Sequence, residues 1–344
     1  MKNFDVIIVG AGPAGIAAAQ TLLKSKIDFC IIEKETFPRK KLCAGGMTNK
    51  CVELLEELKL EYKNVIKQVI TSVQIGSKNK VNELTINDPV IMVDRTEFDN
   101  NNLSQIKKQN KNVFEKEYVI NIEENILTTN KNEYKFKYII FADGVNGYSR
   151  KLSNLKNIGF CVEFDIENRN DKSAVLSFDA IRDGYAWIFP KGNYSTIGLG
   201  KFKNVKDDYK KLLLDFCKSK DIEVKNEKIL GFPIPNGSYL KSSVIDDNKI
   251  LVGDAGGLVD PISGEGIYYA LLSGKFSAES IIEKLKNNNI NLPKSYNKKV
   301  KVIHRALAKK MFISKLFYSP LKNILITIAF SNKFFKKLAT KIVL

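Results

Sequence analysis

The residues with the most chemical content stand in two glycine clusters. Gly10-Ala11-Gly12-Pro13-Ala14-Gly15 follows the apolar, β-branched run Val6-Ile7-Ile8-Val9 and precedes a helix-forming stretch, Ile16 to Leu23. In that setting of strand, turn and helix, Gly10 permits the turn, Gly12 admits a pyrophosphate with no Cβ in its way, and Gly15 lets the helix pack close to the strand. The free N–H groups at the start of the helix, around Pro13 and Ala14, then face the phosphates. A second apolar run, Phe29 to Ile32, ends in Glu33-Lys34, which puts an acidic residue where a ribose hydroxyl is expected. The second cluster runs from Gly253 to Ile267 after the apolar segment Lys249 to Val252. Asp254 at that strand end can accept hydrogen bonds from sugar or ribityl hydroxyls. Gly264, Gly266 and Ile267 open a further helix, whose N–H groups can face the N1/O2 edge of a reduced flavin, where negative charge gathers.

What the chain lacks is equally informative. His304 is the one histidine in 344 residues, which removes most Ser-His-Asp, Cys-His and histidine-rich metal chemistry, and no metal site is expected. Cys30, Cys43, Cys51, Cys161 and Cys217 are scattered without a CxxC pair or a secretory signal, so they read as reduced thiols in a cytoplasmic setting. The net charge of +17 is unevenly placed: 15 Lys and Arg and no Asp or Glu follow Glu283, while the preceding residues are nearly neutral.

Those residues need elements to hold them. The pattern predicts a helix over Thr48 to Leu58, strands over Val69–Ile75, Val81–Ile86 and Pro89–Arg95, and a helix from Thr96 to Lys108 entered through Asp94-Arg95. Short strands are expected near Val113 and Val119, and a buried strand over Phe136–Phe141 runs into Ala142-Asp143-Gly144. From Gly159 to Gly200 the alternation points to a mostly antiparallel sheet. A helix is expected over Asp207–Cys217 before the chain re-enters the nucleotide-binding fold near Lys249. The fold class is therefore α/β: a discontinuous Rossmann-type FAD-binding domain (1–70, 92–158 and 249–283), an inserted substrate sheet (71–91 and 159–248) and a basic C-terminal helical region (284–344).

In order and spacing, five pieces of the chain resemble the geranylgeranyl reductase family, FAD-dependent enzymes of the p-hydroxybenzoate hydroxylase class. They are Gly10 to Gly15 with Glu33; Lys41-Leu42-Cys43-Ala44-Gly45-Gly46; Asp94-Arg95 before Phe98-Asp99; Asp143-Gly144 with Ser149-Arg150; and Gly253 to Ile267. Tyr185-Ala186-Trp187-Ile188-Phe189-Pro190-Lys191 is similar to the family's aromatic substrate-side strand. The resemblance implies that Arg95, Asp143 with Gly144, and Asp254 contact FAD, and that Gly264 to Ile267 sit by the isoalloxazine. It also implies that Cys43 lies near the flavin, where its thiol can supply the proton that accompanies hydride addition to an isolated C=C bond. Ala44 stands where the family usually has glycine. Tyr185, Trp187 and Phe189 fall on one face of a strand and would wall a tunnel for an isoprenoid chain.

The activity this implies is saturation of geranylgeranyl-type C=C bonds of a lipid, a quinone side chain or a prenyl diphosphate by hydride from reduced flavin. The rivals are an FAD monooxygenase or halogenase on the same fold, and a membrane-docked flavoprotein electron carrier. No second dinucleotide fingerprint appears, which leaves NADPH, NADH and ferredoxin or another redox protein open as donor. In the tail, Met311-Phe312-Ile313, Leu316-Phe317-Tyr318, Ile324–Ala329, Phe334-Phe335 and Ile342–Leu344 alternate with the lysines. Lys315, Pro320 and Lys322 interrupt any span, so the expectation is a cytoplasmic protein bound peripherally to an anionic membrane surface, with a helical cap on the core as the other reading. No nucleic-acid recognition fold accompanies the charge.

Overall fold

The computed structural model describes residues 1–77, 80–153, 155–156, 158–178, 180–202, 207–235 and 243–318. In chain order its elements are β1 (Lys2–Val9), α1 (Pro13–Lys24), β2 (Phe29–Ile32), β3 (Gly46–Met47), α2 (Asn49–Leu58), β4 (Ile66–Ser77), β5 (Lys80–Val93), α3 (Arg95–Gln109), β6 (Val113–Phe114), β7 (Val119–Glu123), β8 (Ile126–Thr129) and β9 (Glu133–Phe141). Then follow β10 (Gly159–Glu167), β11 (Ala174–Ser177), β12 (Gly184–Pro190), β13 (Tyr194–Lys201), α4 (Tyr209–Lys218), β14 (Leu230–Ile234), β15 (Val244–Asp246), β16 (Lys249–Leu251), α5 (Ile267–Lys286) and α6 (Leu292–Phe317).

The first sheet has the order β15-β16-β9-β1-β2-β6, parallel from β16 to β6, with the β7–β8 hairpin attached to β9. In its central strand β1 the run Val6 to Val9 is apolar without alternation because both faces are covered there. Val6 and Ile8 join the core beneath α1, α3 and α5, whereas Ile7 and Val9 face Phe136, Ile139 and Leu127. The chain returns to this sheet through β16, as the second glycine cluster required.

The second sheet runs β14-β10-β13-β12-β11-β4-β5-β3 and is antiparallel except where β11 pairs with β4. Its two faces alternate along β12. Tyr185 and Trp187 pack with Phe178, Phe202 and Met92, while Ala186 and Ile188 pack under α4 with Leu213 and Phe216.

Two sequence expectations change. Val81–Ile86 and Pro89–Arg95 are not separate strands: β5 runs through Asp88-Pro89 to Val93, and Arg95 instead begins α3, capped by the Asp94 carboxylate on Thr96 N at 2.7 Å. Register shifts between Ile70 and Ser72 of β4, whose partners are Val90 and Thr85, so Pro89 falls in a bulge where no ladder N–H is needed. The basic C-terminal region also does more than lie on a surface. In α6, Leu292, Tyr296, Val300, Ile303 and Leu307 are buried in the main core. Its opposite side exposes Lys294, Lys298, Lys301, Arg305, Lys309, Phe312 and Lys315. Ile324–Ala329, Phe334-Phe335 and Ile342–Leu344 lie outside the described residues, as do Pro320 and Lys322.

Candidate active site

The first glycine cluster forms an open cradle. Gly10 has φ of +101°, and a Cβ on Gly15 would overlap the Gly10 carbonyl oxygen, which accounts for both glycines. Gly12 caps α1 without a side-chain acceptor, and a Cβ there would meet only the tip of Arg39 at 3.8 Å. Space and unpaired N–H groups therefore coincide at the positive end of the helix. Glu33 is buried, and its Oε2 accepts the Ala11 N–H at 2.7 Å while Oε1 accepts that of Glu35 at 2.9 Å. The same carboxylate thus fastens the glycine turn and lines the cavity beside Lys34.

One cavity of about 1090 Å³ connects this cradle to the second sheet. Gly10, Gly12, Pro13, Ala14, Glu33, Lys34, Arg95, Asp143, Gly144, Asp254, Gly264, Gly266 and Ile267 all line it; Gly15 stands behind it. Among the described residues, nothing donates a hydrogen bond to the Asp254 carboxylate, and Gly266 begins α5 with no side-chain cap. Two uncapped helix starts and an unpartnered acceptor around one elongated cavity fit an adenine dinucleotide carrying a flavin. Asp143 serves the corner: its oxygens accept Ser149 N at 2.8 Å and Ser149 Oγ at 2.5 Å, and burial pushes its carboxyl above the ordinary range against those bonds.

The loop from Thr36 to Gly45 brings Cys43 into the cavity lining and is fixed from several elements. Phe37 N donates to Glu115 at 2.8 Å, Arg39 pairs with Asp99 at 3.3 Å, Val93 N donates to the Gly45 carbonyl at 3.0 Å, and Cys43 N donates to Glu163 Oε1 at 2.7 Å. Arg95, buried at the start of α3, grips Asp99 through Nε at 2.8 Å and Nη2 at 2.7 Å and also faces the Cys43 thiol. Burial opposes its charge, but Asp99 outweighs burial and holds the guanidinium above its usual pKa. Burial lowers the Lys41 ammonium to about 8 despite the facing Asp254 carboxylate. Burial likewise raises the Glu163 carboxyl to about 7, against Lys191 and the Cys43 N–H.

The far half of the cavity is apolar and aromatic. Tyr185, Trp187 and Phe189 form one row along β12, with ring centroids 5.7 and 6.4 Å apart, and all three line the cavity with Leu176, Phe178 and Phe202. Tyr185 donates its hydroxyl proton to the Ser263 carbonyl, tying the aromatic row to the second glycine cluster. On the neighbouring β13, a Cβ at Gly198 would collide with the Trp187 indole, so the glycine leaves the indole its place.

Sequence reasoning missed Glu163 as a member of this site. Its signal was the parity of β10: Cys161 and Glu163 line the cavity, while Val162 and Phe164 face the other core. An acidic residue at an inward position of a covered strand was the available clue. His304 is not among the cavity's lining residues, and no group of His, Cys, Asp and Glu among the described residues is placed to hold a metal ion.

A Rossmann sheet with a flavin-sized cradle and an inserted antiparallel sheet define an FAD-dependent oxidoreductase of the p-hydroxybenzoate hydroxylase-like architecture. The family model for pyridine nucleotide-disulphide oxidoreductases matches residues 4–176. An uncharacterized protein of Methanosarcina barkeri is 32% identical over 336 residues, covering 93% of this chain and 85% of that one. Digeranylgeranylglycerophospholipid reductase 1 of Methanosphaera stadtmanae is 28% identical over 316 residues, covering 84% and 77%. The solved geranylgeranyl bacteriochlorophyll reductase-like protein of Thermoplasma acidophilum superposes with a TM-score of 0.79 at 23% identity, covering 92% of this chain and 87% of its own. The chain belongs to the FAD-dependent geranylgeranyl and digeranylgeranylglycerophospholipid reductase family, within the pyridine nucleotide-disulphide oxidoreductase superfamily.

Proposed function

We propose that the protein saturates C=C bonds of a geranylgeranyl-type chain carried by a lipid, a quinone or a diphosphate. The observation that carries this reading is the continuity of one cavity from the dinucleotide cradle to the row Tyr185, Trp187 and Phe189, with Cys43 among its lining residues. FAD, when bound, supplies the hydride. The chain's own residues do the rest. The cradle at Gly10 to Ala14 and Glu33 with Lys34 hold the adenine dinucleotide, Arg95, Asp143 with Gly144, and Asp254 its sugar and ribityl portions, and Gly264 to Ile267 the flavin edge.

A prenyl chain offers no hydrogen-bonding handle, so its recognition rests on burial against aromatic walls, at about 25 cal/mol per Å² of apolar surface. Cys43 gives a proton to the carbon opposite the hydride, and the guanidinium of Arg95 steadies the thiolate left behind. The electron donor is NADPH, NADH or a redox protein such as ferredoxin.

The exposed stripe Lys294, Lys298, Lys301, Arg305, Lys309 and Lys315 with Phe312 on α6 supports docking at an anionic membrane. Among the described residues no helix is long and apolar enough to cross a membrane. A lysine stripe facing anionic headgroups would hold the protein peripherally, where a lipid-borne chain can enter the cavity.

The test is anaerobic. The reduced protein given a geranylgeranyl lipid should add about 2 mass units per saturated bond without O₂, and Cys43→Ala should retain flavin but lose turnover. An oxygen-dependent gain of about 16 mass units would instead identify a monooxygenase. Rapid reoxidation by quinones or protein acceptors, with every prenyl substrate inert, would identify an electron carrier.

A further inference from the structure

We propose that Glu163 reloads the Cys43 thiol with a proton after each alkene reduction. The inference rests on the reductase reading and adds to it the origin of the proton. Glu163 acts through Cys43, which makes it a positioning and reloading residue, while Cys43 is the group that meets substrate.

Three observations carry it. First, Glu163 Oε1 accepts the Cys43 N–H at 2.7 Å, and the residue is only 8% exposed, yet no described residue bonds its second oxygen and the side chain lines the cavity. Secondly, Arg95 faces the Cys43 thiol but does not give up its own proton. It can stabilise a thiolate and cannot reload it. Thirdly, a carboxylate open to solvent stands two residues along the same strand. Asp165 has a side chain 38% exposed and pairs at 3.5 Å with Lys40, itself 63% exposed.

The charged and titratable groups around Glu163 are Lys191 beyond β12, Cys161 and Asp165 on its own strand, and Lys40 on the loop, whose Cys43 meets the carboxylate through its backbone N–H. Burial outweighs the attraction of Lys191 and the Cys43 N–H, so the carboxyl titrates at about 7 and is substantially protonated in neutral solution.

The step balances. One alkene carbon takes a hydride and the other takes the Cys43 S–H proton, leaving a thiolate beside Arg95. The Glu163 O–H bond then breaks as S–H re-forms, either directly or across one water, and the carboxylate recovers a proton from solvent on the side of the site where Asp165 is exposed. Each turnover uses one hydride from the reduced flavin and one solvent proton. Because the loaded carboxyl empties as pH rises through about 7, turnover should fall on that limb.

The test compares wild type, Glu163→Gln and Glu163→Asp in the flavin-loaded protein. Glu163→Gln keeps an acceptor for the Cys43 N–H and removes the titration. Its kcat should fall at least tenfold and lose the limb near pH 7, with KM and flavin absorbance unchanged, while Glu163→Asp should recover part of kcat. Independently of turnover, iodoacetamide labelling of the Cys43 peptide in wild type should show an inflection near pH 7. Above it the charged carboxylate disfavours a neighbouring thiolate, so labelling at pH 8 should be at least threefold faster in Glu163→Gln.

A wild-type labelling profile without that inflection overturns the proposal even if the variants fail to fold. A limb near pH 8 that survives in Glu163→Gln overturns it in favour of Lys41. If wild type reduces no alkene while the labelling difference persists, the coupling stands and the reductase reading fails. If alkenes are reduced with the limb unchanged in Glu163→Gln, the reading stands and this inference fails.

Discussion

Glu33 Oε2 accepts the Ala11 N–H at 2.7 Å, so the acidic residue at the end of β2 holds the glycine turn as well as lining the cavity. Removing the carboxylate therefore has two consequences. Glu33→Ala leaves the Ala11 and Glu35 N–H groups without their acceptor, at a cost of about 1–3 kcal/mol for the buried one, and also weakens FAD. Glu33→Gln should restore most of the stability and only part of the affinity. Thermal unfolding with and without added FAD separates the two effects.

Gly12 tests the cradle alone. A Cβ there meets nothing closer than Arg39 Nη2 at 3.8 Å, so Gly12→Val should fold with little penalty. Its side chain would then occupy the place of the pyrophosphate, and flavin occupancy should collapse. A folded, fully yellow Gly12→Val protein would remove the dinucleotide assignment.

Gly198 tests the apolar half. An added Cβ would lie 2.6 Å from Trp187 Cε2 and 2.7 Å from the Val162 carbonyl oxygen. Gly198→Ala should therefore cost about 1–3 kcal/mol through overpacking and displace the indole. Flavin absorbance should persist while KM for a prenyl substrate rises. An unchanged KM would place the substrate away from the aromatic row.

These tests also mark what was legible before the fold was known. The cradle could be read because its chemistry is local: three glycines, an apolar strand and Glu33 sit within 33 residues. Tyr185, Trp187 and Phe189 could be read because strand parity puts them on one face. Glu163 could not be read, since its carboxyl matters only because β10 meets the Cys43 loop 120 positions earlier in the chain. Nor could the continuity of β5 through Pro89, because a proline reads as a break until the bulge opposite it is visible.

Glu163 also makes stability depend on pH, apart from any role in turnover. Its carboxyl is raised from 4.5 to about 7, so the folded state binds the proton more tightly than the unfolded chain. The associated stability is fully present below about 4.5 and is lost progressively as pH rises through about 7, up to about 3 kcal/mol. Glu163→Gln should flatten that part of the profile. Denaturant unfolding at pH 5 and pH 8 checks this, and equal losses in wild type and variant would contradict the burial of a neutral carboxyl.

The basic tail requires a different probe from simple truncation. Ending the chain near Asn289 would strip Leu292, Tyr296, Val300, Ile303 and Leu307 from the main core, so lost membrane binding could not be told from lost fold. Lys298, Lys301 and Arg305 are exposed on the other side of α6, and their replacement by Glu leaves the buried face intact. Each basic residue close to an anionic surface contributes about 1 kcal/mol, so the triple reversal should weaken binding to phosphatidylserine vesicles by more than tenfold. Binding to neutral vesicles should change little, and added salt should narrow the gap between wild type and variant. Flavin content serves as the control for folding. Undiminished binding by a yellow, folded triple variant would show that this stripe is only a solvated helix face.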